Sequence, residues 1–234
     1  MVERRTSVAF VAVSIALLAG CTAQVLAPPE MGKREPAEFP GIYYQRLSAQ
    51  GKPVFRVDPV RSIVVIEVRR GGSMPQFGHD HVVASHDVAG LVAPDEGRAD
   101  LWVPLDTLVV DEPALRAEAG FDTQPSADDI AGTRSNMVGR VLETGRHPHA
   151  LIAVSELGSG GNSIRVRIDI TLHGITRSFE TVARYEKTEE DLSVSGAIAI
   201  DQSEFGIVPL SVLGGAIAVQ DRLKMSYRIR ALRT

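Results

Sequence analysis

From Phe55 to the C-terminus the dominant pattern in this chain is an alternation of apolar and polar residues. The clearest stretch is Ile164-Val166-Ile168-Ile170-Leu172, with Arg165, Arg167, Asp169 and Thr171 between. Successive side chains of an extended backbone point to opposite faces, so this spacing predicts a strand with one apolar and one wet face. The last segment repeats the logic: Leu223, Met225, Tyr227, Ile229 and Ala231 alternate with Arg222, Lys224, Ser226, Arg228 and Arg230. Weaker runs at 62–69, 82–92, 98–105, 149–156, 176–186 and 192–200 predict further strands. His173-Gly174 and the stretch 187–191 read as hairpin turns.

One stretch breaks the pattern. Between Asp111 and Leu142 the period shifts toward 3.6. Ser126 is placed to cap a helix, with Asp128 and Asp129 in the first turn, where negative charge suits the helix dipole. Ile130, Met137, Val138 and Val141 form its apolar stripe, and Gly145 and Pro148 end it. A shorter helix is predicted over 113–119. The chain therefore reads as all-β and antiparallel, in one domain with a helical insertion. Strands with one apolar face must close on themselves or pair with a second sheet.

The N-terminal fifth obeys other rules. Arg4 and Arg5 precede an apolar run from Val8 to Leu18, which ends in Leu18-Ala19-Gly20-Cys21. A basic start, an apolar run and small residues before a cysteine form the bacterial lipoprotein signature. The run is too short to cross a bilayer, which takes about 20 residues. This divides the chain into a signal peptide (1–20), a lipidated N-terminus and tether (21–52), and a barrel or sandwich domain (53–234). Pro28, Pro29, Pro36 and Pro40 punctuate the tether, and Tyr43-Tyr44 indicates that its last part packs on the domain. Cys21 is the lone cysteine, so lipidation leaves no thiol for a disulfide or for catalysis. Thr22 follows it in place of the aspartate that retains lipoproteins in the inner membrane, which points to the periplasmic face of the outer membrane.

Charge and composition narrow the partners. A formal charge of −4 leaves no basic footprint for nucleic acid, and 5% aromatic residues give no stacking platform for single strands.

Several short motifs then fall in one order. Leu172-His173-Gly174-Ile175-Thr176-Arg177 resembles the leucine-x-glycine-valine/isoleucine-threonine-basic hairpin of YceI-like proteins. Phe55-Arg56-Val57-Asp58 followed by Ser62 is similar to that family's opening strand. Asn136-Met137, Val141-Leu142 and Pro148 resemble its helix running to a proline, although His147 stands where an aromatic is usual. Asp201 to Phe205-Gly206-Ile207, and Val219-Gln220-Asp221 with Leu223, resemble its closing segments. The resemblance spans about 53–234. It implies a single antiparallel eight-stranded lipocalin-like barrel, exported and not an enzyme. Its long apolar cavity would hold a polyisoprenoid chain such as a quinone or a prenyl phosphate.

Candidate chemistry follows. For lining such a cavity the candidates are Trp102, Met137 and the small face of 192–200, namely Ser193, Ser195, Ala197 and Ala199. Alternation alone leaves open whether that small face points at the lumen or at solvent, and a tryptophan such as Trp102 is more often core than a ligand stack. His79 and His81 share a strand face. They suit either a ligand head group at the barrel mouth or, with His147 and His149, a Zn2+ or Cu2+ site. Nucleophilic catalysis finds no support: Ser155 and Ser195 lack a glycine elbow, and no phosphate-loop lysine follows Gly158-Ser159-Gly160-Gly161. Three functions are thus weighed: a lipid-binding envelope lipoprotein, a histidine-based metal protein or metal-dependent enzyme, and an envelope interaction protein with a filled barrel.

Overall fold

The computed structural model describes residues 35–234. Cys21, the signal segment and 22–34 of the tether lie outside the described residues. Eight antiparallel strands form a meander in which each strand pairs with the next and the last pairs with the first. Three strands are interrupted: β1 (Phe55–Val57 and Ile63–Val68), β2 (His81–Ser85 and Ala89–Ala93) and β3 (Arg98–Pro104 and Val109–Val110). Five are continuous: β4 (His149–Gly160), β5 (Ser163–Leu172), β6 (Ile175–Lys187), β7 (Asp191–Asp201) and β8 (Arg222–Arg233). One edge of β8 receives both pieces of β1, with Ala231 opposite Val57 and Met225 opposite Ile66, and this closes the barrel.

The interruptions have local causes. Pro59 has no N–H for the ladder, and Asp58 turns the chain there by accepting from the Val60 amide. In β3 the ladder to β4 ends at Pro104, opposite His149, and Val109–Val110 pairs with β2 alone. That leaves β3 and β4 apart at one end, and the helical insertion covers the gap. The insertion holds α2 (Pro113–Ala119) and α3 (Ala127–Asn136), followed by one π turn, Met137–Val141. Ser126 caps α3 and exchanges hydrogen bonds with Asp129, as the sequence predicts. Ile130, Met137 and Leu142 pack onto the core beside Val103, Leu105 and Leu108. This is the helical end of the barrel. The opposite, open end is formed by the turns after β2, β4 and β6.

Apolar strand faces point inward and charged faces outward. Outside, Arg167 meets Glu180 and Lys224 meets Glu67 across neighbouring strands. This is the reverse of a membrane-spanning barrel, whose lipid-facing surface is apolar.

The last part of the 21–52 segment packs on the domain. Residues 41–49 form α1 (Gly41–Ala49), which buries Tyr44 and Leu47 against Val54, Leu91 and Ala93 on the outside of the barrel. Residues three apart share a helix face, so this pair supplies the docking stripe. The Tyr44 hydroxyl donates to Asp100 Oδ2 at 2.7 Å. Burial, then the Asp100 carboxylate, pushes that phenol far above its ordinary range.

Candidate ligand-binding lumen

The barrel encloses a cavity of about 250 Å³. It runs from Pro94 and Tyr185 at the open end to Leu108 and Ile207 at the helical end. Its wall is the apolar half of the alternation in the sequence: Val166, Ile168 and Ile170 of β5, Met225 and Ile229 of β8, and Val194 of β7. Polar side chains reach it at few places, chiefly Ser85, Glu156, Tyr185, Gln202 and Tyr227. The Gln202 amide is already spent, donating to the Gln220 carbonyl at 3.0 Å.

Two tyrosines tune the interior. Tyr227 lies across Gly196, its cross-strand partner, where an added Cβ would stand 2.5 Å from the phenol oxygen. Burial raises the Tyr227 phenol, and burial followed by the charges of Glu156 and Asp95 raises that of Tyr185. Both are therefore neutral hydroxyls at physiological pH, able to donate to a carbonyl or an alcohol. In the sequence, Gly196 stands in phase with Val194 and Ile198, and this glycine on an apolar face is the available sign of a bulky neighbour.

The residues singled out from the sequence fall elsewhere. On β7, Leu192, Val194, Ile198 and Ile200 face the lumen, so Ser193, Ser195, Ala197 and Ala199 lie on the outer face. Ser195 instead borders a groove beside α2, with Ile63, Val65 and Leu115. Trp102 is buried outside the barrel, edge-on to Phe39 at 4.6 Å, because its neighbours Leu101 and Val103 take the inward positions. Met137 packs on the core beneath the helical insertion, and Leu142 supplies the lining there.

Neither His79 nor His81 lines the cavity. His81 is buried between Asp111, whose Oδ2 lies 2.6 Å from Nδ1, and Thr133 of α3, whose Oγ1 lies 3.3 Å from Nε2. His79 faces Asp129 at 3.8 Å. His147 lies against His173, with ring centroids 4.3 Å apart and the planes tilted by 50°, while His149 opens β4 opposite Pro104. The four histidines do not converge, and among the described residues no three His, Cys, Asp or Glu side chains are arranged to hold a metal.

The profile of the YceI-like domain matches residues 55–231, which is the whole barrel from β1 to β8. The chain belongs to the YceI-like family. Solved structures agree on the fold. A polyisoprenoid binding domain from Saccharophagus degradans, implicated in plant cell wall breakdown, superposes with a TM-score of 0.56 at 12% identity. The match covers 78% of this chain and 100% of that one. BcnA of Burkholderia cenocepacia superposes at 0.54 with 14% identity, covering 74% and 98%. No curated protein matches the sequence. The YceI-like barrel thus keeps its architecture while nearly all side chains differ, as a fold set by alternation and closure allows.

Proposed function

We propose that this YceI-like protein holds a polyisoprenoid or similar amphipathic lipid, a quinone or a prenyl phosphate, in its barrel without turnover. The observation that carries this reading is the lumen: a cavity of about 250 Å³ walled almost wholly by aliphatic side chains. A prenyl chain threaded there leaves water, gaining about 25 cal/mol per Å2 of apolar surface buried. Tyr185, Tyr227 and Ser85 offer the few hydrogen bonds that orient a polar head. The Saccharophagus neighbour, described as a polyisoprenoid binding domain, supports the same ligand class. A barrel filled by its own side chains would leave no such cavity, which disfavours the interaction-protein reading.

In this reading Cys21 carries the lipid anchor, and the domain works at the periplasmic face of the outer membrane, close to its ligands. Organic extraction of the purified protein followed by mass spectrometry tests the ligand. A stoichiometric prenyl chain is expected, with a quinone or a phosphate head distinguished by mass. Protein that never carries a prenyl or acyl chain would remove the proposal. Cys21→Ser should release a folded domain from membranes; retention after a high-salt wash would refute the anchor.

A further inference from the structure

At the helical end a small three-stranded sheet, Arg70–Gly71, Ile217–Val219 and Ser211–Val212, stands off the barrel as a flap. The chain at 73–78 folds onto it: the Met74 amide donates to the Ala216 carbonyl at 2.8 Å, and Gly78 lies against Ile217. This flap gathers much of the exposed apolar surface. Val208 is 81% exposed, Leu213 75% and Phe77 66%, with Met74 and Val212 beside them. Large apolar side chains grouped on loop tips mark a surface that meets something apolar.

Three observations identify that partner as a lipid bilayer. First, the loops that carry these side chains hold no charge that would resist entry into a head-group layer. Neither 71–78 nor 206–220 contains an acidic or basic residue, in a chain of net charge −4. Arg69 and Arg70 at its base are matched by Glu67 and Asp122. Second, the chain of the flap begins directly at the lumen wall. Ile207 is 3% exposed and lines the cavity, and the next residue, Val208, is the most exposed of the flap. Third, the anchor proposed at Cys21 would allow it. An extended chain from Cys21 to Glu35 spans about 45–50 Å, longer than a 12-residue strand of about 40 Å, so the anchored barrel can turn either end to the membrane.

We infer that the flap formed by Met74, Phe77, Val208, Val212 and Leu213 is a membrane-docking surface, which seats the helical end of the barrel on the bilayer for lipid exchange. This inference rests on the lipid-binding reading for its purpose but not for its test. A lipid anchor and a second apolar contact together give firmer membrane attachment than either alone.

Spin labels decide it. Leu213→Cys and, at the open end, Glu189→Cys each give the lipidated chain one free thiol. The labelled proteins are placed in vesicles of phosphatidylethanolamine and phosphatidylglycerol. Docking predicts that the label at 213 becomes several-fold less accessible to an aqueous nickel relaxant and more accessible to oxygen, while the label at 189 stays aqueous. A label at Val208→Cys should lose its protection when Phe77→Asp and Leu213→Asp are added. Equal aqueous exposure of 213 and 189 overturns the inference. So does protection of 213 that persists without vesicles, which would assign the flap to a second copy of the chain. An empty lumen on extraction would instead remove the lipid-binding reading and leave the depth measurement standing.

Discussion

Nδ1 of His81 lies 2.6 Å from Oδ2 of Asp111, and the same carboxylate accepts from Arg116 at 2.6 Å through its other oxygen. The Val82 amide also donates to it, at 2.9 Å. Asp111 sits at φ 59, where aspartate and asparagine are the side chains best tolerated after glycine. One buried carboxylate thereby ties the start of β2 to the end of β3 and to α2, and through His81 and Thr133 to α3. This makes the histidine a structural tie for the helical insertion and not a lumen residue.

The first prediction concerns this tie. Burial would push the Asp111 carboxyl up, but the bonds from His81, Val82 and Arg116 outweigh it and hold the group below its ordinary value. A carboxyl depressed in the folded state stabilises at pH above its unfolded value of about 3.9, and that contribution is lost as pH falls through the folded value. Asp111→Asn keeps the backbone conformation and removes the charge, leaving the buried Arg116 with the carbonyls of Asp80 and Thr123 but without this carboxylate. It should cost about 3 kcal/mol at pH 7. Urea unfolding should show that gap narrowing below about pH 4; a gap independent of pH would contradict the account.

His147 responds in a milder range. Burial, then the facing imidazole of His173, then Arg146 lower the His147 pKa, while Glu143 opposes them. The unfolded chain therefore takes up the proton first, and stability should fall as pH drops through about 6.5. His147→Gln should flatten the stability profile between about pH 5 and 7. An unchanged thermal profile over that window would contradict the account of His147.

Much of this molecule is legible in the alternation alone. The inward faces of β5 and β8 are the apolar series of the sequence, and the Ser126 cap follows from a serine set three residues ahead of an aspartate. Barrel closure is not legible, because pairing of β8 with both pieces of β1 is a long-range event with no local signature. On β7 the lumen side is misread from the sequence for a physical reason. Period two fixes which residues share a face but not which face is inside, and small residues read equally as room for a ligand or as solvent surface. Trp102 misleads similarly: a large aromatic predicts burial, yet the ring is buried on the outside of the barrel, against Phe39. The histidines attract a chemical reading through their i, i+2 spacing, while their partners, Asp111 and His173, lie far away in sequence.

α1 gives the third prediction. Tyr44 is 1% exposed, and its hydroxyl shares Asp100 with Arg98. Tyr44→Phe should cost about 1 kcal/mol, since Asp100 keeps its guanidinium. Tyr44→Ala should cost about 3–5 kcal/mol and expose Leu91. A chain beginning at residue 53 should therefore melt well below the full mature protein, by calorimetry. Equal melting temperatures would return 41–49 to the tether.

The inside and outside of one strand provide the sharpest test of the lumen. Val194 and Ala197 lie three residues apart on β7, the first lining the cavity and the second exposed on the outer face. In a close-packed core a larger side chain costs about 1–3 kcal/mol because neighbours must move. Around Val194 the neighbouring volume is open, so Val194→Trp should place its indole in the cavity at smaller cost. The melting temperature should then change little while extractable lipid falls to a small fraction of the wild-type amount. Ala197→Trp adds the same group to the wet face and should leave the bound lipid unchanged. If both variants retained lipid equally, the ligand would lie outside the barrel. If Ala197→Trp alone lost it, the inward face of β7 would be the other one, and Ser193, Ser195 and Ala199 would again be the lining.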